Sequence, residues 1–194
     1  GTLLSIPMAH QLIGFYTVAD KTDGVLKVMR SYQYFAVRAI SDRVARIEWD
    51  GRDRLGGYIW HTTGSGKTMT SFKSAYLIAT SKDADKVIFL MDRIELGTQS
   101  LEQYNNFADT DDFVQSTENT HALISKLKST NPNEVLIVSS IQKMSNIKDE
   151  EGGIKAHDIE QMQKKRIVII VDEAHRSTFG DMLITIKETF PQAV

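Results

Sequence analysis

From Met29 onward apolar residues fall at helical intervals: Val37, Ile40, Val44 and Ile47 step by three, four and three, with Arg30, Arg38, Arg46 and Glu48 on other faces. This predicts an amphipathic helix. A short apolar run, Tyr58-Ile59-Trp60, predicts a strand entering a glycine-rich turn, after which Met69, Phe72, Tyr76 and Ala79 resume helical spacing. Residues 86–91, KVIFLM, are almost continuously apolar, as expected of a parallel strand covered on both faces. Ile94, Gly97 or Thr98, Leu101, Tyr104 and Ala108 mark another helix, and residues 122–128 a shorter one. VLIV at 135–138 and IVIIV at 167–171 predict two further buried strands, and Met182, Leu183, Ile186 and Phe190 a last helix.

Two stretches break the pattern. Residues 1–28 show no clean period and are punctuated by Pro7, Gly14, Asp20, Asp23 and Gly24, so they read as a connecting segment with room for one short helix or strand. Residues 145–166 are polar and read as a mobile surface insertion. Trp49 and Trp60 are expected in the core, and Tyr32 to Phe35 in helix packing. Strands alternating with helices predict a doubly wound α/β domain with a mainly parallel sheet. Ligands of such sheets bind beyond the C-terminal strand ends. The glycine turn, Asp92-Arg93, residues 139–143 and residues 172–175 all fall at those ends.

The turn reads HTTGSGKT from His61 to Thr68. Strand, Gly-x-Gly-Lys-Thr and helix in that order form a phosphate-binding loop. Dense negative charge on a nucleoside triphosphate must be met by backbone N–H groups at close range. Thr63, Gly64, Ser65 and Gly66 supply that backbone, and glycine lets it approach without a side chain in the way. Lys67 is expected to reach the β- and γ-phosphates, and the Thr68 hydroxyl to ligate Mg²⁺. The general pattern begins with glycine six residues before the lysine, where this chain has His61.

A second cluster follows the strand at 167–171. Asp172 is expected to hold Mg²⁺, and Glu173 to orient and polarise the attacking water. The alternative is a carboxylate pair that caps the next helix. The glycine loop favours the first reading, because each cluster supplies what the other lacks.

Composition changes little. With 194 residues and 41% hydrophobic content the chain can bury a sizeable core. It has no cysteine, which excludes disulfides and thiolate metal sites. Its five histidines show no paired spacing. No apolar run reaches the length of a membrane span and no signal peptide is visible, so a cytoplasmic protein is expected. The net charge of −2 does not point to nucleic acid.

TTGSGKT together with VDEAH resembles the first, RecA-like motor domain of superfamily 2 helicases and translocases. WHTTGSGKT, DRIEL and VDEAHRS narrow the resemblance to the motor subunit of type I restriction-modification enzymes, over residues 25–194. Histidine is usual in that family at the position of His61. The resemblance implies a RecA-like P-loop fold with Lys67, Asp172 and Glu173 catalytic. ATP would be bound by Gln33, Thr63, Gly64, Ser65, Gly66, Lys67 and Thr68, and Mg²⁺ by Thr68 and Asp172. It implies that Gln33 contacts the adenine edge, for which an amide is apt; the alternative is a polar residue in a first helical turn. Asp92, Arg93, Thr98 and Gln99 would face the nucleic-acid track, and Ser139, Ser140 and Gln142 would contact phosphates, with helix capping as the alternative. His175 and Arg176 would couple hydrolysis to domain movement, a plain surface histidine being the other reading.

The activity so implied is ATP-driven translocation on double-stranded DNA before cleavage. Methyltransferase and specificity subunits are the implied partners. Residues 1–28 would link to a preceding nuclease domain, and 29–194 would form the first motor domain, cut before the second lobe. Without the family's arginine finger and second lobe, weak ATP binding and slow turnover are expected. The competing functions are another superfamily 2 helicase or remodelling ATPase, and a nucleotide-dependent adaptor.

Overall fold

Every residue of Lys86–Met91 is buried, and the cause is alternation between two covered faces. Val87, Phe89 and Met91 join one apolar cluster, while Ile88 and Leu90 join another. The computed structural model describes residues 5–51, 54–91, 94–110, 112–149, 156–172, 174 and 179–194. In chain order its elements are α1 (Ile6–Phe15), β1 (Thr17–Asp20), β2 (Val25–Val28), α2 (Ser31–Ala45), α3 (Lys67–Ser81), β3 (Lys86–Met91), α4 (Ile94–Phe107) and β4 (Val114–Ser116). They continue with α5 (Thr120–Lys128), β5 (Leu136–Ser140), α6 (Ile141–Ser145), α7 (Ala156–Gln163), β6 (Ile167–Val171) and α8 (Phe179–Thr189).

Four strands form a parallel sheet in the order β4-β5-β3-β6. One face is covered by Val44 of α2, Phe72, Ala75 and Ile78 of α3, and Tyr104 and Phe107 of α4. The other is covered by Leu123 and Leu127 of α5, Met144 of α6, Met162 of α7 and Ile186 of α8. This is the expected α/β arrangement. Met91 pairs with Ser140, and Leu90 with Val171, so the C-terminal ends of β5, β3 and β6 finish level with one another. That shared edge sets the position of the site.

Several expectations need correction. Residues 58–60 are not a strand: Tyr58 is 89% and Trp60 88% exposed, so Trp60 is not in the core. A strand needs a partner for its N–H and C=O groups. The free side of β6 is instead met by Val194, which donates to the Ile167 carbonyl at 3.0 Å and accepts from the Ile169 N–H at 2.7 Å. Gly56 passes close to Val194 without pairing there. The sheet takes its fourth strand from residues 114–116, too short a run to show a period.

The first residues hold more structure than one short element: a helix and an antiparallel hairpin, β1 to β2, whose turn uses Asp20, Asp23 and Gly24. Val18 enters the core, and the buried Lys73 of α3 donates to the Thr17 carbonyl at 2.9 Å, so the hairpin is fastened to the domain. The polar stretch 145–166 contains α7, anchored by the buried Met162. Among the described residues no helix is long and apolar enough to cross a membrane.

Candidate nucleotide-binding site

Gly64 and Gly66 take φ of +76° and +81°, the left-handed region in which a Cβ costs about 1–2 kcal/mol. Gly66 caps α3, so Lys67 and Thr68 open the helix. Amides of a first helical turn have no partner within the helix and carry its positive dipole end. The Ser65 N–H donates to the Thr62 carbonyl at 3.2 Å, which tightens the loop ahead of that turn.

His61, the residue that departs from the glycine pattern, holds the loop together. Its Nδ1 lies 2.9 Å from Ser65 Oγ, and Ser65 Oγ spends its own proton on the Thr62 carbonyl at 2.7 Å. The imidazole is therefore the donor to Ser65. Burial, helped by the positive charge of Lys67, lowers the His61 pKa, so the ring is neutral at pH 7. Neutrality keeps a second positive charge away from the phosphate lysine without altering the donor role of Nδ1.

Helix α2 braces the same loop. Tyr32 donates its hydroxyl to the Ser65 carbonyl at 2.9 Å. Gln33 is buried, and both ends of its amide are engaged. Nε2 donates to the carbonyls of Ser65 at 3.2 Å and Gly66 at 3.4 Å, while Oε1 accepts the Arg30 N–H at 2.9 Å. The last bond is the return half of a capping box, with Gln33 at the third helical position. The Gln33 amide is thus turned to the loop backbone. Sequence spacing could not show this, since the loop lies more than thirty residues downstream.

At the sheet edge, the Asp172 N–H donates to the Leu90 carbonyl at 3.0 Å, extending the β6 pairing by one residue. The Asp172 carboxylate acts electrostatically on the Tyr104 hydroxyl, and Tyr104 packs on Phe72 of α3. Asp172 thus stands at the C-terminal end of β6, within electrostatic reach of the Tyr104 hydroxyl. Ser139 is buried and pairs with the Thr117 hydroxyl at 2.9 Å; Ser140 caps α6, accepting the Lys143 N–H at 3.3 Å. Both hydroxyl oxygens accept a bond within the protein, and of this trio only Gln142 presents an exposed side chain. Asp92, Arg93, Glu173, His175 and Arg176 lie outside the described residues.

Beside the loop is an open depression of ≈ 440 Å³, lined in part by Arg30, Tyr32, Trp60, His61, Thr63 and Ser65. Its cation and aromatic faces suit a flat, electron-rich group. Among the described residues no group of three or more His, Asp or Glu could hold a metal ion. The donors that are present, the hydroxyl of Thr68 and the carboxylate of Asp172, fit Mg²⁺ none the less. That ion takes one or two protein oxygens and completes its shell with substrate phosphates and water.

The chain is similar to known proteins over most of its length. The sequence profile of the SWI2/SNF2 ATPase family matches residues 32–194. A type I restriction enzyme endonuclease subunit of Staphylococcus aureus (strain MSSA476) is 41% identical over 183 residues, covering 94% of this chain and 18% of that protein. The chain thus spans under a fifth of that relative's length. The C-terminal part of a putative type I restriction enzyme endonuclease subunit of Mycoplasma pneumoniae is 37% identical over 174 residues, 88% of this chain and 82% of that one. Among solved structures, a nuclease-deletion mutant of the type ISP restriction-modification enzyme LlaGI, in complex with a DNA substrate mimic, superposes with a TM-score of 0.52 at 24% identity. The overlap covers 80% of this chain and 16% of that one, and it supports the RecA-like fold.

Proposed function

The chain belongs to the SWI2/SNF2 ATPase family, among the type I restriction enzyme endonuclease subunits, and from that premise we propose that it binds ATP with Mg²⁺ at residues 61–68 and hydrolyses it. The work so driven is translocation along double-stranded DNA, with this chain as the first motor domain of a cytoplasmic restriction complex. Methyltransferase and specificity subunits are its partners, and a nuclease domain and a second motor lobe complete the polypeptide.

One observation carries the reading. Two left-handed glycines deliver the chain into α3 with Lys67 and Thr68 in its first turn, a shape suited to an anion. Lys67 meets phosphate charge. Thr68 and Asp172 would hold Mg²⁺ through their oxygens, and the ion would supply positive charge to offset that of the phosphates. Glu173 accepts a proton from the attacking water. Arg30, Tyr32 and Trp60 offer the nucleoside a cationic and aromatic wall. Exposed Gln142 contacts the DNA backbone, Asp92 and Arg93 face the nucleic-acid track, and His175 and Arg176 relay the state of the nucleotide to the second lobe.

The test is ATP binding and phosphate release by the unaltered chain, Lys67→Ala and Glu173→Gln. Lys67→Ala is expected to abolish binding, while Glu173→Gln keeps binding and stops release. Unchanged ATP affinity in Lys67→Ala would overturn the site.

A further inference from the structure

The core of this domain holds a phenol whose hydroxyl plays no part in packing. Tyr104 is fully buried, with its ring between Phe72, at 5.2 Å between centroids, and Phe89, at 4.6 Å. Phenylalanine would make those ring contacts equally well. A hydroxyl placed there costs desolvation free energy unless it is bonded. Its bond runs in a definite direction: Tyr104 donates to Ser71 Oγ at 2.9 Å, and Ser71 Oγ passes its proton to the Thr68 carbonyl at 3.0 Å. The relay starts on α4, behind β3, and ends on the second residue of α3, the one whose hydroxyl is the metal donor. Asp172, the other metal donor, acts on the same phenol from the end of β6.

We propose that Tyr104 is a positioning residue of the metal–nucleotide site: through Ser71 it holds the Thr68 backbone, and so the Thr68 hydroxyl, at a set distance from the strand ends that carry Asp172. The proposal rests on the nucleotide reading above. Burial and the negative charge of Asp172 keep the phenol well above its ordinary pKa, so it remains a donor at every working pH. Neither residue touches nucleotide or metal. Their effect is to make the opening turn of α3 stiff where an isolated helix end would fray.

Tyr104→Phe and Ser71→Ala each remove one link and leave the ring packing in place. The measurement is binding of a fluorescent ATP analogue to the chain, first in EDTA and then across a Mg²⁺ titration. Each variant is expected to raise the Mg²⁺ needed for half-saturation about tenfold, in the range of outer-shell metal-site substitutions, and to keep the metal-free affinity. The double variant is expected to do no worse than either single one, because one relay is being cut twice. Unchanged Mg²⁺ dependence in both variants overturns the proposal. So does an equal loss of affinity with and without Mg²⁺, which would mark a structural role only. If Tyr104→Phe fails to fold, Ser71→Ala decides alone. Absence of any Mg²⁺-dependent binding by the unaltered chain would instead bring down the nucleotide reading itself, and this proposal with it.

Discussion

A Cβ built on Gly66 would stand 2.4 Å from the amide nitrogen of Gln33. Helix α2 and the phosphate loop therefore fit against each other at a residue whose backbone is also left-handed. Gly64 shares the left-handed backbone but faces open space. Gly64→Ala is expected to cost only the backbone strain, about 1–2 kcal/mol. Gly66→Ala adds the clash, and is expected to lower the melting temperature further and to weaken ATP binding at least about tenfold. Equal effects from the two substitutions would show that the Gln33 contact does not constrain the loop.

Because the Gln33 amide braces backbone, its loss should not alter the choice of base. Gln33→Leu leaves the Arg30 N–H and the Ser65 carbonyl with one partner fewer, at a cost of about 1–3 kcal/mol. Affinities for ATP and GTP are expected to fall by the same factor, read by titrating both nucleotides. A selective loss of ATP would instead assign Gln33 the adenine-edge role.

Lys86 makes stability depend on pH above neutrality. It is 1% exposed, bonded to the Glu134 carbonyl at 2.6 Å, and burial, reinforced by Lys165, pushes its pKa down to about 8. Below pH 8 the folded and unfolded chains both hold the proton, and the full penalty for burying charge is present. Between pH 8 and the ordinary lysine value near 10.5 only the unfolded chain still holds it, so stability rises with pH. Lys86→Met removes this rise. Compared by urea unfolding, the variant's advantage over the unaltered chain is expected to shrink by up to about 3 kcal/mol from pH 7 to pH 11. A constant difference across that range would mean Lys86 does not titrate there.

Two aromatic residues at opposite extremes of burial should respond differently. Phe72→Ala empties a site ringed by Tyr76, Tyr104 and Phe107 and is expected to cost about 3–5 kcal/mol. Trp60→Ala, at an 88% exposed position, is expected to stay within about 0.5 kcal/mol. Thermal melts of the two variants check the contrast.

Much of the site was legible because its chemistry is local. Gly64, Gly66, Lys67 and Thr68 lie within five residues of one another, and their identities alone specify a tight anionic cradle opening a helix. Asp172 was legible because it directly follows an unbroken apolar run, which marks the end of a strand. The brace on the loop was not legible: Tyr32 and Gln33 reach Ser65 across more than thirty residues, and His61 read as an exception until Ser65 supplied its partner. Nor were the burial of Ser139 and Ser140 and the bonds their oxygens accept from Thr117 and Lys143, which come from partners and packing brought together by the fold.

By itself the sequence determined the strands at 86–91 and 167–171, the amphipathic helices and the phosphate loop, because hydrophobic period and glycine stereochemistry act within a few residues. Only the tertiary structure decided which run completes the sheet, what the Gln33 amide holds, and that Tyr104 links α4 to the opening turn of α3. Each of these depends on partners distant in the chain. An apolar run becomes a strand only where an unpaired edge receives it, and a buried polar group takes whichever partner the fold brings within hydrogen-bonding distance.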